Sequence, residues 1–288
     1  MAVILATGIA TGCVYGLVGI GFSLIYRTTG IVNFAQGAFV ALSGMSAWWL
    51  LSEIHLPYAL AILGALVLCV ALGLLLWVAV VLPIWRWRSD QVSLMIALLV
   101  VAVLATILIQ KWLGTQPRTL PEWVPGLRIW LPGGTITGQY GLVVLATVAI
   151  VAGVGALLQW STLGRSMRAC AASRDTSALL GISSARIGAV SMMLTAALGG
   201  LAGILIAPAQ YTSSDATTYG IFGFVAAVLG GFGTIRGAVA GGIIVGVLQA
   251  FVGRYASSDY ETVMVFALML VLLTFRPRGL LGGEWAAH

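Results

Sequence analysis

The residues able to do acid–base, nucleophilic or metal chemistry are few and poorly placed for it. Lys111 is the only lysine, so a Gly-x-x-x-x-Gly-Lys-Ser/Thr phosphate-binding loop cannot be assembled. His55 and His288 are the only imidazoles, and Cys13, Cys69 and Cys170 the only thiols. They are too scattered for a metal site, a Ser-His-Asp triad or a disulfide framework. All eight acids fall in polar stretches, in the tail or at the edges of apolar runs. Ion-driven carriers usually hold an ionisable group inside a span, because charge in lipid needs a counter-charge, so that mechanism is disfavoured. These residue types name no catalytic group and no metal site.

Amides and glycines are the informative residues instead. Asn33 and Gln36 sit between Gly30 and Gly37, which allows a helix unwound at its start and lining a passage. The plainer alternative is interhelical hydrogen bonding. Gly230, Gly231 and Gly233 cluster between apolar stretches and predict a break or tight turn, since each costs about 1 kcal/mol against Ala in a helix. Glycines at spacing four (Gly8, Gly12 and Gly16; Gly199 and Gly203; Gly237 and Gly241; Gly242 and Gly246) read as helix-packing faces. Gln249, alone in an apolar run, reads as interhelical glue.

The elements that must carry these residues are apolar helices. Of 288 residues, 60% are hydrophobic and 8% charged, where a soluble domain has about a quarter charged. The fold class is therefore all-α, a polytopic transmembrane helical bundle. A span takes roughly 20 apolar residues. That ruler gives segments 8–26, 31–51, 58–82, 92–110, 140–160, 187–207, 238–252 and 262–275, with a short ninth at 221–232 that is a tilted span, a half-helix or part of a broken, re-entrant one. The expectation is eight to nine membrane segments in one domain, 1–288.

Cytoplasmic loops collect Lys and Arg. With Arg86 and Arg88 inside, alternation also places Arg27, Arg165, Arg168, Arg174, Arg186, Arg236, Arg276 and Arg278 inside. Glu53, Glu122, Asp215, Asp259 and Glu261 fall outside, with Lys111, Arg118, Arg128 and Arg254 as exceptions. Nine crossings, with the N-terminus out and the C-terminus in, satisfy this sorting. The net charge of +6 is thus a topology signal, not a nucleic-acid stripe. The exported loop 111–139, rich in Pro and Trp with the Gly133-Gly134 pair, is read as turn-rich with a short interfacial helix, serving as a lid on headgroups or a docking surface. The cytoplasmic loop 161–186 predicts two short amphipathic helices: Arg165 and Arg168 share a face, Asp175 caps the second helix and Gly181 ends it. It is either a knob for a cytoplasmic partner or a basic loop on lipid.

Five stretches in order carry a family resemblance. They are residues 26–37 ending Asn33, Phe34, Ala35, Gln36, Gly37; 164–171; 178–182; 226–233; and the tail from Arg276 to Gly282. The chain resembles the inner-membrane permeases of ATP-binding-cassette importers for branched-chain amino acids and related small solutes. The resemblance implies a translocation path touching Asn33, Phe34, Gln36, Gly37, Gly230, Gly231 and Gly233. It also implies a coupling segment using Arg165, Arg168, Cys170, Ala171, Arg174, Asp175, Ala178, Leu179 and Gly181. The implied partners are two cytoplasmic ATPase subunits that bind ATP and Mg, a soluble extracytoplasmic binding protein, and a second permease, homologous or a second copy. The implied setting is the lipid of a bacterial inner membrane. No cofactor is expected in the chain itself, and no nucleic acid. Many members of the family carry His and then Glu where this chain has Gln36 and Ala38, so the solute is not assigned by analogy. The competing readings are a passive channel for small polar solutes such as urea or amides, and an assembly protein of the membrane.

Overall fold

The structure is a computed structural model that describes residues 1–87, 91–131, 134–257 and 260–281, without the side chains of Leu131, Arg174, Asp175 and Thr176. The readings placed on Arg88, Gly133, Asp259, Gly282 and His288 lie outside the described residues.

Helix α1, Ala2–Thr29, is the central post, its glycine-rich middle buried on all sides. It ends at Gly30, whose left-handed φ of 72° closes the last turn on Tyr26. Residues 31–35 are not helical, and α2, Gln36–Ser52, starts only after them. The Asn33 side chain holds this entry by accepting from the Ala35 amide at 3.1 Å, a local bond that competes with helix. Helix α3, Tyr58–Leu76, passes through a π-helical turn at Trp77–Val81 into α4, Leu82–Arg86. Helices α5, Gln91–Leu113, and α6, Gly138–Trp160, present mostly exposed apolar faces. Between them the connection 114–137 forms no interfacial helix among its described residues. It holds a β-hairpin, β1 Arg128–Leu131 against β2 Gly134–Thr137, with Ile129 opposite Ile136. Prolines at 117, 121 and 125 deny a helix its amide donors, and β-branched pairs favour the ladder.

The short helices α7, Thr162–Ala172, and α8, Arg174–Leu179, precede α9, Ser184–Ile206. An irregular stretch and a 3₁₀ turn, Ser214–Thr217, lead into α10, Thr218–Gly230, followed by α11, Ile235–Tyr255, and α12, Glu261–Phe275. Among the described residues six helices are long and apolar enough to cross a membrane, so the count of eight to nine is not reached by helix length. Three shorter helices make up the shortfall: α12 has only 15 residues, and α2 and α10 begin inside the bundle. Gln36 lies against Gly21, eight residues before the end of α1 (29 − 21), about 12 Å in at 1.5 Å per residue. Tyr219, in the first turn of α10, packs against Tyr15 halfway along α1, with ring centroids 5.5 Å apart. The two helix starts meet, since a Cβ on Gly220 would lie 2.6 Å from the Gly37 Cα.

The spaced glycines are packing faces. A Cβ on Gly246 would meet the Gly12 backbone at 2.4 Å, and one on Gly203 would meet the Val40 carbonyl at 2.2 Å. The three cysteines are free and buried.

Candidate functional site

Asn33 and Gln36 are fully buried between helices. The Asn33 Nδ2 lies 3.4 Å from the Met192 Sδ, and the Gln36 Nε2 donates to the Thr195 carbonyl at 3.0 Å. Thr195 in turn donates to the Gly21 carbonyl at 3.1 Å, so α1, α2 and α9 are tied at one level. Gln36 Oε1 has no partner among the described residues. Gly37 is the close approach to α10. The amides therefore sit at a helix junction and do not line the cavities described below.

Phe34 faces the other way. Its ring lies 5.7 Å from Phe224, which lies 5.8 Å from Phe232, which lies 4.7 Å from Tyr26. This half-buried aromatic cluster joins the unwound entry of α2 to the glycine break. The break itself is as expected: α10 stops at Gly230, and Gly231 and Gly233 hold φ of 104° and 87°, which other residues rarely adopt. The tail closes it. The Leu280 and Leu281 amides donate to the carbonyls of Leu229 and Gly230 at 2.8 and 3.0 Å, satisfying groups that a helix end leaves open.

The loop 161–186 forms the two helices foreseen, with different caps. The Ser161 hydroxyl accepts from the Gly164 amide at 3.0 Å at the start of α7. Helix α8 starts at Arg174, which puts Asp175 inside its first turn and not at its cap. Gly181, with φ of 76°, turns the chain toward α9. Met167 and Cys170 are buried, and the Arg168 guanidinium donates to the Leu158 carbonyl. Ala171 lies in α7 and Ala178 in α8, and at the tip Leu179 and Leu180 are 88% and 72% exposed. Arg165 is exposed on α7. A second cavity, of about 320 Å³, separates α7 from α1 and is lined by Arg27, Thr28, Gln159, Met167 and Arg168.

Sequence reading missed a large cavity, of about 520 Å³. It opens beside exposed Asp215 and Tyr211 and ends on buried Tyr15, at half the depth of α1. Its walls come from α1, the start of α6, the α9–α10 connection, α10, α11 and the start of α12. Two hydrogen-bonded chains line it. Tyr15 Oη donates to Gln249 Oε1 at 2.5 Å and Gln249 Nε2 donates to Glu261 Oε2 at 2.7 Å. Tyr219 Oη donates to Gln210 Oε1 at 2.5 Å, and Gln210 Nε2 donates to Thr11 Oγ1 at 3.4 Å. Gln249 is glue, as expected, but glue in a cavity wall. It was the one visible signal: an amide in an apolar run whose partners lie elsewhere in the chain.

A helical bundle that joins two half-depth helix starts, a polar cavity reaching mid-depth and a pair of short helices outside the long ones is the build of a membrane transport protein. Residues 4–273 match the family described as branched-chain amino acid transport system / permease component, and the chain belongs to that family. It is 30% identical to the high-affinity branched-chain amino acid transport system permease protein BraD of Pseudomonas aeruginosa, over 96% of this chain and 94% of the relative. It is 29% identical to LivH, of the same description, from Escherichia coli K12, over 96% and 93%. A shorter match, 31% identical over 41% of this chain and 28% of the relative, is to the E. coli permease protein LivM. No solved structure matches.

Proposed function

We propose that this chain is one permease subunit of an ATP-binding-cassette importer in a bacterial inner membrane, forming half of a path for branched-chain or other small amino acids and related solutes. The observation that carries the reading is the α7–α8 loop: a capped helix pair fixed to the bundle by Met167, Cys170 and Arg168, with Leu179 and Leu180 bare at its tip. Apolar side chains that exposed on a polar loop mark a contact surface, and a passive channel has no use for one. Separate ATPases that bind ATP and Mg seat on this tip, with Arg165, Arg174, Asp175, Ala178 and Gly181 shaping it. Matches to both LivH and LivM support a pair of homologous permeases, and a soluble binding protein delivers solute at the opposite end.

In this reading the chain makes nine traverses: six by the long helices, two by α2 and α10 with the irregular segments before them, and one by the 15-residue α12. The path descends from the large cavity past the Gly37–Gly220 junction to Phe34, Phe232 and the glycine break. Asn33 and Gln36 hold that junction. The test is ATP-driven uptake of labelled leucine into proteoliposomes that hold the permease pair, the ATPases and the binding protein of the same system. Replacing residues 165–181 with a flexible linker abolishes uptake and solute-stimulated ATP hydrolysis. Hydrolysis that stays stimulated by solute with the linker in place sinks the proposal.

A further inference from the structure

The large cavity is built with one electrical sense. Among its described lining residues are two carboxylates, Asp215 and Glu261, and no Lys, Arg or His. The rest of its polar surface is tyrosine, threonine and serine hydroxyls and the amides of Gln210 and Gln249. A helix N-terminus in the wall could offset this, because its free amides and dipole attract anions. Two of the helical starts that face the cavity carry their own acid, whereas the start of α6, which brings Tyr140 to the wall, has none. Asp215 lies in the first turn of the 3₁₀ segment that runs into α10, where the Ser213 hydroxyl also accepts from the Asp215 amide at 3.2 Å. Glu261 lies in the first turn of α12. Those two positive ends are thus answered by the protein itself, and among the described lining residues no cationic side chain stands ready for an anion.

The donors in the wall are also committed in a definite direction. Along the first chain Tyr15 gives its proton to Gln249, and Gln249 gives its own to Glu261, so the chain ends on a carboxylate acceptor. Along the second, the Tyr219 hydroxyl is spent on Gln210 and the Gln210 amide on Thr11. These bonds leave the carboxylate oxygens and the lone pairs of hydroxyls whose protons are used as acceptors, beside the second N–H of each amide. Beside them stand the rings of Tyr15, Tyr219 and Phe222, with Tyr15 centroids 5.5 and 5.1 Å from the other two. Such faces take aliphatic surface or a cationic group. The volume, about 520 Å³, lies within the range of small-molecule sites.

We infer that this cavity is a charge-selective binding site that takes its solute by the nitrogen end, accepting amines and uncharged amides and rejecting carboxylates that lack an amino group, with Glu261 as the residue that sets the preference. The inference rests on the permease reading for its place in transport. Its substance, binding with a defined sign of charge, is separable from it. Binding energy comes from charge-assisted hydrogen bonds to Glu261 and from burial of the aliphatic tail against Phe222. Gln249 positions the Glu261 carboxylate and does not itself select charge.

The experiment uses the permease pair with its ATPases in lipid nanodiscs and three probes that share one isoamyl group: isoamylamine, 4-methylpentanamide and 4-methylpentanoate. Saturation-transfer NMR reads weak binding through the cavity's aromatic protons. The amine and the amide show transfer and the carboxylate shows at least tenfold less. Glu261→Gln weakens the amine about tenfold, the loss of one charge-assisted bond, and leaves the amide within about twofold. Tyr15→Phe keeps the ring, frees a Gln249 acceptor and leaves the order of the three probes unchanged, which serves as a second variant should Glu261→Gln fold poorly. Equal binding of the carboxylate and the amine overturns the inference, and so does an amine affinity untouched in Glu261→Gln. Leucine uptake in the complete transporter is scored separately. Charge selection without any ATP-driven uptake refutes the permease reading and leaves the site standing, whereas uptake without charge selection does the reverse.

Discussion

Replacing Gly242 with alanine tests whether the α1–α11 contact is set by backbone approach. A Cβ there would lie 2.4 Å from the Gly16 nitrogen and 2.5 Å from the Gly12 carbonyl oxygen. Ordinary contact starts near 3.4 Å, so the helices must part by about 1 Å, and no rotamer change relieves a clash with backbone. A gap of that size forfeits about a quarter to a half of each atom pair's dispersion well along the seam. Overpacking of this kind costs about 3 kcal/mol at the upper end of its range. Alanine recovers about 1 kcal/mol of helix propensity, leaving a net loss of about 2 kcal/mol. At roughly 2–4 °C per kcal/mol for a chain of this class, thermal unfolding in detergent shows a Tm lower by several degrees. Gly153→Ala on α6 is the control, because nothing lies within 4 Å of its Cβ position. There the propensity term acts alone and Tm holds or rises. The reasoning is refuted if Gly242→Ala melts at or above the parent, or if both variants fall together.

Gln36→Leu removes the bond to the Thr195 carbonyl and lowers stability by about 0.6 kcal/mol, the usual size of an interhelical bond in lipid; uptake persists, and lost uptake with an unchanged Tm would put Gln36 on the path itself. Gly231→Ala forces a side chain into φ of 104° and costs about 1–3 kcal/mol, read as a lower Tm in detergent; a Tm equal to the parent's would show that the break does not depend on a glycine there. Leu179→Asp with Leu180→Asp leaves Tm within a degree or so, since both side chains are exposed, and abolishes co-purification of the ATPases; intact co-purification would assign the tip to lipid.

What the sequence reveals here depends on how local the cause is. The break at Gly230, Gly231 and Gly233 was legible because clustered glycines weaken a helix wherever they occur. The delayed start of α2 was legible from Gly30 and Asn33 for a similar reason: a left-handed cap and a side chain that bonds its own backbone act within a few residues. The hairpin at 128–137 was not, because two four-residue strands give too short an alternation to outweigh a loop rich in Pro and Trp. Nor was the cavity. Thr11, Tyr15, Gln210, Tyr219, Gln249 and Glu261 come from five separate stretches, and a tyrosine inside an apolar run looks like any core aromatic until its hydroxyl's partner is known. Half-depth helices escaped for a related reason: apolar length counts residues, whereas the depth at which a helix begins is fixed by its neighbours.

The same packing decides how the two ends of the bundle communicate. Helix α1 lines the large cavity with Thr7, Thr11 and Tyr15 and the smaller one with Leu24, Arg27 and Thr28. Between these it is locked to α11 by the glycine seam, to α9 by Thr195 and to α10 through Gly19 and Val18. Close-packed backbone seams of this kind deform little, because any separation forfeits contact along their whole length. The α1–α11 pair is therefore a rigid unit, and a force applied to α7 reaches the cavity by moving that unit as a whole. The compliant parts lie around it. Helix α6 has few buried residues, the 207–213 connection is irregular, and α3 leads into a π-helical turn at Trp77, whose ring fills the space a Cβ on Gly188 would need. A displacement at α7 must then appear at the far end as a shift of Tyr15 and Gln249 together against Gln210 and Glu261, which sit on elements outside the seam. That shift breaks the Gln249–Glu261 bond before it disturbs the Tyr15–Gln249 bond, because only the former crosses from the rigid unit to a neighbour. The Glu261 carboxylate is thus the group in the cavity wall whose surroundings change when the α7–α8 loop is moved.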